Sequence, residues 1–319
     1  MTGEPERARI LIVDPLHPAA IKKLGERFEV ILKRCSSETD LQTAIRDVDV
    51  LIMRSGVQLT GPAIAAADRL KLVARAGVGV DNIDVAAARS AGVRVFNVPA
   101  QSSDSVAEFT IGLVLAAMRR IPLASAQVKR NEWRKPELVG HDLRHATIGV
   151  VGLGAIGSLV AELARSFGMR VLATVGRPTS HRRRQLDREG IELVDLRELL
   201  GRSTVVCVVA PLNESTRGLI AAEELALMAE RSYLVNVSRG GIVDEDDLYD
   251  ALENGKLAGA ALDVVVAEGR PNRLAELDNV ILTPHIGAMT EQAQERIGEI
   301  VVESIITSLD GGTVANEIC

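Results

Sequence analysis

Residues 147–177 read TIGVVGLGAIGSLVAELARSFGMRVLATVGR, and the fold turns on them. Residues 148–151 are β-branched or glycine, as suits a strand buried on both faces. Gly152, Gly154 and Gly157 follow in G-x-G-x-x-G spacing, with Ala155 and Ile156 between the last two. An amphipathic run begins at once (Leu159, Val160, Leu163, Ala164, Phe167). Gly168 is placed to stop that helix, and residues 171–175 form a second apolar strand. The first glycine permits a tight turn, the second lets backbone approach a pyrophosphate, and the third lets helix pack on strand. Alone, the glycine spacing is a weak sign. In the order strand, turn, helix, strand it predicts a dinucleotide-binding unit.

A chain of 319 residues suffices for two domains of ordinary size. Apolar residues make up 47% but aromatics only 2%, so the cores are expected to be Val, Leu, Ile and Ala, as in buried parallel sheets. A net charge of −6 and the lack of any long basic run argue against a nucleic-acid partner. The one dense basic cluster, Arg182, Arg183 and Arg184, is expected to be a solvated helix face. Cys35, Cys207 and Cys319 show no metal-ligand spacing, so no metal site is expected, and Cys207 falls in an apolar strand pattern as a core residue would. Residues 1–9 are polar and no apolar run is long enough to span a bilayer. The expectation is a cytoplasmic protein without a membrane partner.

Working outward from the glycine turn, short strand and helix patterns alternate in both directions. Upstream, strands are predicted at 9–13, 29–32, 50–53, 71–74 and 93–95, with helices at 18–26, 39–46, 61–67 and 84–90. Downstream, strands are predicted at 191–194, 205–209, 233–237, 259–262 and 280–282, with helices at 196–200, 223–228 and 244–253. A last helix, 291–309, must return across the molecule. One long helix is predicted at 102–120, its apolar stripe too broad for a surface helix. Pro122 interrupts it, and the loop 131–143 holds the only Trp. Repeated βα units imply α/β architecture: two doubly wound parallel-sheet domains, 1–101 with 288–319 and 102–287.

Ligands on such sheets lie beyond the carboxyl ends of the strands. Arg239, Glu268 and His285 each follow an apolar strand of the second half, and Arg54 and Arg75 each follow one of the first. Singly, each is an ordinary surface or loop residue. Beside a nicotinamide they form a sensible set. Hydride transfer at a carbinol needs a group to move the hydroxyl proton, for which His is suited. A carboxylate near the imidazole favours its charged form and orients it, and a guanidinium suits a carboxylate substrate.

These motifs resemble the D-isomer-specific 2-hydroxyacid dehydrogenases over nearly the whole length. The resemblance rests on RAGVGVDNID (75–84), NVPAQSSDSVAEFTIGLVLA (97–116), GVVGLGAIG, NVSRGGIVDE (236–245), AGAALDV (258–264) and TPHIGA (283–288). It implies a flavodoxin-like substrate domain and a Rossmann NAD(P)-binding domain that close over a D-2-hydroxy or 2-oxo acid. It further implies that Arg239 binds the substrate carboxylate and keto oxygen, that His285 is the general acid/base, and that Glu268 hydrogen-bonds His285. Backbone N–H groups around Val78 and Gly79 would grip the carboxylate. Asp263 would lie near the nicotinamide, with Ala210, Pro211, Ser238 and Gly287 on the cofactor side. A homodimer built on the nucleotide domains is implied, with the helix after Ser102 and the following loop contributing.

Three departures from the family pattern stand out. Glu268 is followed by Gly269-Arg270-Pro271 rather than directly by proline, and Ala210 replaces a threonine. About twenty residues beyond the glycine turn, NAD-binding members carry an acidic residue for the ribose; here Val175, Gly176 and Arg177 occupy that stretch. An arginine can pair with a 2′-phosphate, so NADP is favoured over NAD as cofactor. Arg54, Ser55 and Arg75, with Arg134 or Lys135 from a partner's loop, suit a phosphate dianion. The expected substrate is therefore 3-phosphoglycerate, through resemblance to the members acting on it. NADPH-dependent reduction of glyoxylate or hydroxypyruvate is the alternative. No regulatory domain is expected beyond Glu317. Formate oxidation is disfavoured, since those relatives carry glutamine in place of Glu268. A rival of another class is a dinucleotide-sensing scaffold like the corepressors built on this fold.

Overall fold

The structure, a computed structural model, describes residues 7–35, 37–176 and 178–319. The chain divides into two units, Met1–Ser102 with Met289–Cys319, and Ser103–Ala288.

The first unit alternates β1 (Arg9–Ile12), α1 (Pro18–Gly25), β2 (Glu29–Leu32), α2 (Glu38–Ala44), β3 (Val50–Met53), α3 (Gly61–Ala65), β4 (Leu72–Arg75), α4 (Val85–Ser90) and β5 (Arg94–Asn97). The strands form one parallel sheet in the order β2-β1-β3-β4-β5. Strand period two sorts the side chains cleanly. Ile10, Ile12, Val50, Ile52, Leu72 and Phe96 pack on one face, where Ile297, Val301 and Ile305 of the last helix (Glu291–Leu309) join them. Leu11, Leu51, Met53, Val73 and Val95 pack on the other with Leu41 and Ile64. The strand order reverses between β1 and β3, so ligands are expected beyond their carboxyl ends. The free edge of β5 is covered by the chain's last residues: Ile318 N–H donates to Val95 O at 2.7 Å.

The second unit begins with α5 (Ser103–Met118) and α6 (Ile121–Lys129). It continues through β6 (Thr147–Val151), α7 (Ala155–Ser166), β7 (Arg170–Thr174), α8 (Ser180–Arg188), β8 (Ile191–Leu193), α9 (Leu196–Arg202) and β9 (Val205–Val208). It closes with α10 (Ala222–Leu227), β10 (Ser232–Asn236), α11 (Glu245–Glu253), β11 (Leu257–Leu262) and β12 (Val280–Leu282). Its parallel sheet runs β12-β11-β10-β9-β6-β7-β8, with the reversal between β6 and β9. Ile148, Val150, Val205 and Cys207 lie on the face covered by α5 and α7, and Val151, Val206, Val208 and Leu234 on the face covered by α9, α10 and α11. Cys207 is fully buried, and burial pushes its thiol up to about 12, as fits a core residue. The architecture is the doubly wound α/β pair expected.

The long helix expected at 102–120 is α5, Ser103–Met118; what was not expected is a further helix straight after it, α6, bent from it by 61°. Arg120 takes a left-handed φ of 50°, and Pro122 sits in the first turn of α6. Proline lacks an N–H and has its φ preset, so it starts a helix as readily as it ends one. The helix at 180–188 was not separately predicted, because its interior carries only one buried apolar residue, Leu186. The second strand of the unit stops at Thr174, one residue short of expectation, and β11 starts two residues early at Leu257. No single helix among the described residues is long and apolar enough to cross a membrane.

Candidate active site

The glycine turn can be tested by asking what a side chain would meet there. At Gly157 a Cβ would lie 2.1 Å from Gly152 O, so only glycine lets α7 sit this close to the turn. Gly152 has φ +97°, and its Cβ would stand 2.9 Å from Ala210 Cα. The loop after β9, including Pro211, therefore closes against the turn. Gly154 is the N-cap of α7 and has nothing within 4 Å of where its Cβ would be. An open backbone at a helix N-terminus, beside Ala155 and Ile156, is the cradle a pyrophosphate requires. The residues present fit a nicotinamide dinucleotide. Beyond β7, Val175 offers the ribose no carboxylate; Arg177, the residue expected to read a 2′-phosphate, lies outside the described residues. Arg183 and Arg184 are exposed as expected of a solvated face, but Arg182 is half-buried, with Nη2 3.5 Å from Ser158 Oγ of α7.

On the far side of the sheet reversal, the ends of β10, β11 and β12 bring Arg239, Glu268 and His285 into one unit. Asn236 is buried at the end of β10. Its Oδ1 accepts from Ser238 N–H (3.1 Å) and Ser238 Oγ (2.9 Å), and its Nδ2 donates to Arg239 O (3.0 Å). The turn bearing Arg239 is thus held by one amide. Arg239 Nη1 donates to Ser238 O at 2.7 Å. Gly240 lets this turn pass the chain after β11, since a Cβ there would meet Val265 C at 2.2 Å.

Asp263, 2% exposed, organises the turn after β12. Its Oδ1 accepts from Thr283 Oγ1 (2.6 Å) and Ile286 N–H (2.9 Å), its Oδ2 from Gly287 N–H (2.8 Å), and its carbonyl from His285 N–H (2.8 Å). These bonds hold His285 at a φ of 55°, a left-handed conformation that costs a non-glycine residue about 1 kcal/mol. His285 Nδ1 then lies 2.8 Å from Glu268 Oε1. Their side chains are 25% and 40% exposed, so the pair is reachable by a ligand. With Nδ1–H donating to the carboxylate, Nε2 is the nitrogen left for proton transfer.

The loop carrying Glu268 departs from the family sequence yet still delivers the carboxylate. Arg270 N–H donates to Ala267 O (3.1 Å), closing a turn over Gly269 at φ +76°. Glu245 at the start of α11 braces the same loop: its Oε1 accepts from Val266 N–H (2.6 Å) and its Oε2 from Asn272 Nδ2 (2.8 Å). Sequence reasoning gave Asn236 and Glu245 no role. The available signal was a polar residue closing a strand of buried residues, and an acid opening a helix.

In the first unit, Arg54 stands at the end of β3. Its N–H donates to Asp14 Oδ2 (2.6 Å), its carbonyl accepts from Asn82 Nδ2 (2.7 Å), and its Nη1 donates to Gln294 Oε1 (2.8 Å) and Met289 Sδ (3.1 Å). Burial pushes the guanidinium below its ordinary value, with Asp14 acting the other way. Ser55 beside it is half-buried. Arg75 is only 6% exposed and folds beneath its own loop, Nη1 donating to Ala76 O at 3.0 Å; a Cβ on Gly77 would strike that nitrogen. It braces the loop bearing Val78 and Gly79, which Asn97 Nδ2 also holds through Val78 O at 2.6 Å. Arg134 is exposed and paired with Glu132 (3.2 Å) and Glu137 (3.7 Å), next to Lys135. Among the described residues no cluster of His, Cys, Asp or Glu is arranged to hold a metal ion.

Residues 111–287 match the family described as D-isomer specific 2-hydroxyacid dehydrogenase, NAD binding domain. The chain is 45% identical over 312 residues to the D-3-phosphoglycerate dehydrogenase of Methanocaldococcus jannaschii, covering 97% of this chain and 59% of that protein. It thus spans about three-fifths of the length of that relative. It is 40% identical over 309 residues to the hydroxypyruvate reductase of Thermotoga maritima, covering 95% of this chain and 99% of that one. The D-lactate dehydrogenase of Aquifex aeolicus, solved with NAD and lactic acid, superposes with a TM-score of 0.86 at 29% identity, covering 97% and 98% of the two chains. This chain belongs to the D-isomer specific 2-hydroxyacid dehydrogenase family, and its second unit is the family's NAD-binding domain.

Proposed function

We propose that the chain is an oxidoreductase that interconverts a D-2-hydroxy acid and its 2-oxo acid with NAD(P). The observation that carries this is the His285–Glu268 pair, 2.8 Å apart, at the carboxyl edge of the sheet that bears the glycine turn. Bound nicotinamide supplies the hydride acceptor or donor. The chain's own residues do the rest. In the oxidising direction His285 Nε2 takes the hydroxyl proton as the hydride leaves the same carbon; in reduction it returns that proton to the carbonyl oxygen. Glu268 accepts from Nδ1–H and so fixes the orientation and tautomer of the imidazole. Arg239 supplies paired donors to the substrate carboxylate and polarises the 2-oxygen. Asp263 sets the turn on which His285 sits. The Gly154–Gly157 turn holds the pyrophosphate, and the lack of an acid at Val175 favours NADP over NAD.

The first substrate proposed is 3-phosphoglycerate. Arg54, held on backbone and side chain alike, gives the substrate unit a preset cation for a second anionic group. Hydroxypyruvate or glyoxylate is the second, supported by the Thermotoga maritima relative that the chain matches end to end. The exposed apolar residues of α6 and the loop after it support a homodimer. A panel of 2-oxo acids, phosphorylated and not, assayed with NADH and NADPH side by side, tests the function. Turnover of at least one acid is expected. Dinucleotide binding without turnover of any would instead favour a sensing scaffold.

A further inference from the structure

Resting on the dinucleotide binding proposed above, we propose that Arg182 is the residue with which this chain recognises a 2′-phosphate on the adenosine ribose, and so selects the phosphorylated dinucleotide. Three observations converge on it. The stretch after β7, residues 174–183, reads TVGRPTSHRR and contains no carboxylate that would accept ribose hydroxyls or repel a phosphate. The backbone of Arg182 is pinned in the first turn of α8, because its N–H donates to the cap Thr179 Oγ1 at 3.2 Å. Its side chain, unlike the exposed Arg183 and Arg184, turns back from α8 to α7.

There Nη2 stands 3.5 Å from Ser158 Oγ, and Ser158 directly follows the third glycine of the turn. The guanidinium therefore bridges the first turns of α7 and α8, the two helices that flank the segment between β7 and α8. A contact this long is at the outer limit of a hydrogen bond. Among the described residues the side chain makes no other hydrogen bond or ion pair. Its fork is thus placed by a weak neutral partner and has donors in hand for a dianion, a geometry that arginine fits bidentately.

Equilibrium binding to the whole chain tests the assignment without recourse to turnover. Titration calorimetry with 2′,5′-ADP, 5′-AMP, NADPH and NADH should show tighter binding of the phosphorylated member of each pair. In Arg182→Ala the Kd for 2′,5′-ADP and NADPH should rise on the order of tenfold to a hundredfold, with 5′-AMP and NADH within about twofold, as for loss of a charge-assisted hydrogen bond. Arg182→Lys should recover part of the loss and Arg183→Ala none of it should incur. Val175→Asp should reverse the preference. Equal weakening of all four ligands in Arg182→Ala would mean a brace between α7 and α8 and would overturn the assignment. So would an unchanged preference in Arg182→Ala together with its loss in Arg177→Ala. If the wild-type chain binds none of the four, the dinucleotide function itself fails, an outcome distinct from either.

Discussion

At the residue scale, the central claim concerns one imidazole and its carboxylate. His285, an ordinary loop residue by itself, was legible because it follows a short apolar strand in the half that bears the glycine turn, together with Arg239 and Glu268. Glu268 was legible through its place after an apolar strand beside the other two, since alone an acid in a polar loop is ordinarily solvated. What holds them was not legible. Asp263 spends both oxygens and its carbonyl on the His285 turn, and Glu245 spends both oxygens on the Glu268 loop. Such bonds join residues about twenty apart in sequence through loop backbone, which has no periodicity to read. His285→Ala should lower kcat by about 10²–10⁴-fold, the usual worth of general acid/base catalysis. Glu268→Gln keeps the shape but loses the carboxylate, and should lower kcat by roughly tenfold or more while the NADH Kd holds steady, because the imidazole is then less well oriented. Steady-state kinetics with direct nucleotide titration check both. Turnover of His285→Ala within threefold of wild type would remove the acid/base assignment.

At the element scale, most strands lay within two residues of where the apolar runs put them, because parallel strands buried on both faces are continuous hydrophobic words. Helices were less secure, as α6 beyond Arg120, which had not been expected, shows. The amino ends of the strands carry a feature with no sequence signature. Asp49, 1% exposed at the start of β3, accepts from Arg9 N–H of β1 (3.0 Å), Lys71 Nζ (3.0 Å) and Arg69 Nη2 (3.3 Å). Burial pushes its carboxyl up, but the Arg9 and Lys71 hydrogen bonds and the Lys71 and Arg69 charges outweigh burial, leaving it below its ordinary value. A carboxyl lowered in the folded state stabilises that state above its unfolded pKa, and the benefit fades as pH falls through the folded value. Asp49→Asn should therefore cost about 2 kcal/mol at neutral pH. That deficit should shrink as the pH drops below the ordinary Asp value of about 3.9. Denaturant unfolding of both chains from pH 7 to pH 3 measures it; a deficit that stays constant with pH would show that the ionised carboxylate is not what ties these strands.

At the scale of the whole molecule, each unit buries a core on both faces of its own sheet, yet the second leaves apolar surface uncovered. Ile121 (52% exposed) and Val128 (51%) are seven residues apart on α6, so they share a helix face. Trp133 and Val139, each 75% exposed, follow in the next loop. Four large apolar groups exposed within nineteen positions are what the homodimer proposed above would cover. A second copy of the chain is the simplest occupant, and a twofold interface counts every substitution twice. Finishing the burial of a half-exposed Ile or Val contributes about 1 kcal/mol. Ile121→Glu with Val128→Glu should then remove about 4 kcal/mol from the pair, raising the dimer Kd on the order of a thousandfold. Sedimentation velocity at micromolar concentration should show a dimer for the wild type and a monomer for the double variant, with circular dichroism unchanged because neither side chain is in a core. A monomeric wild type would remove the homodimer. A variant still dimeric would place the contact on another face.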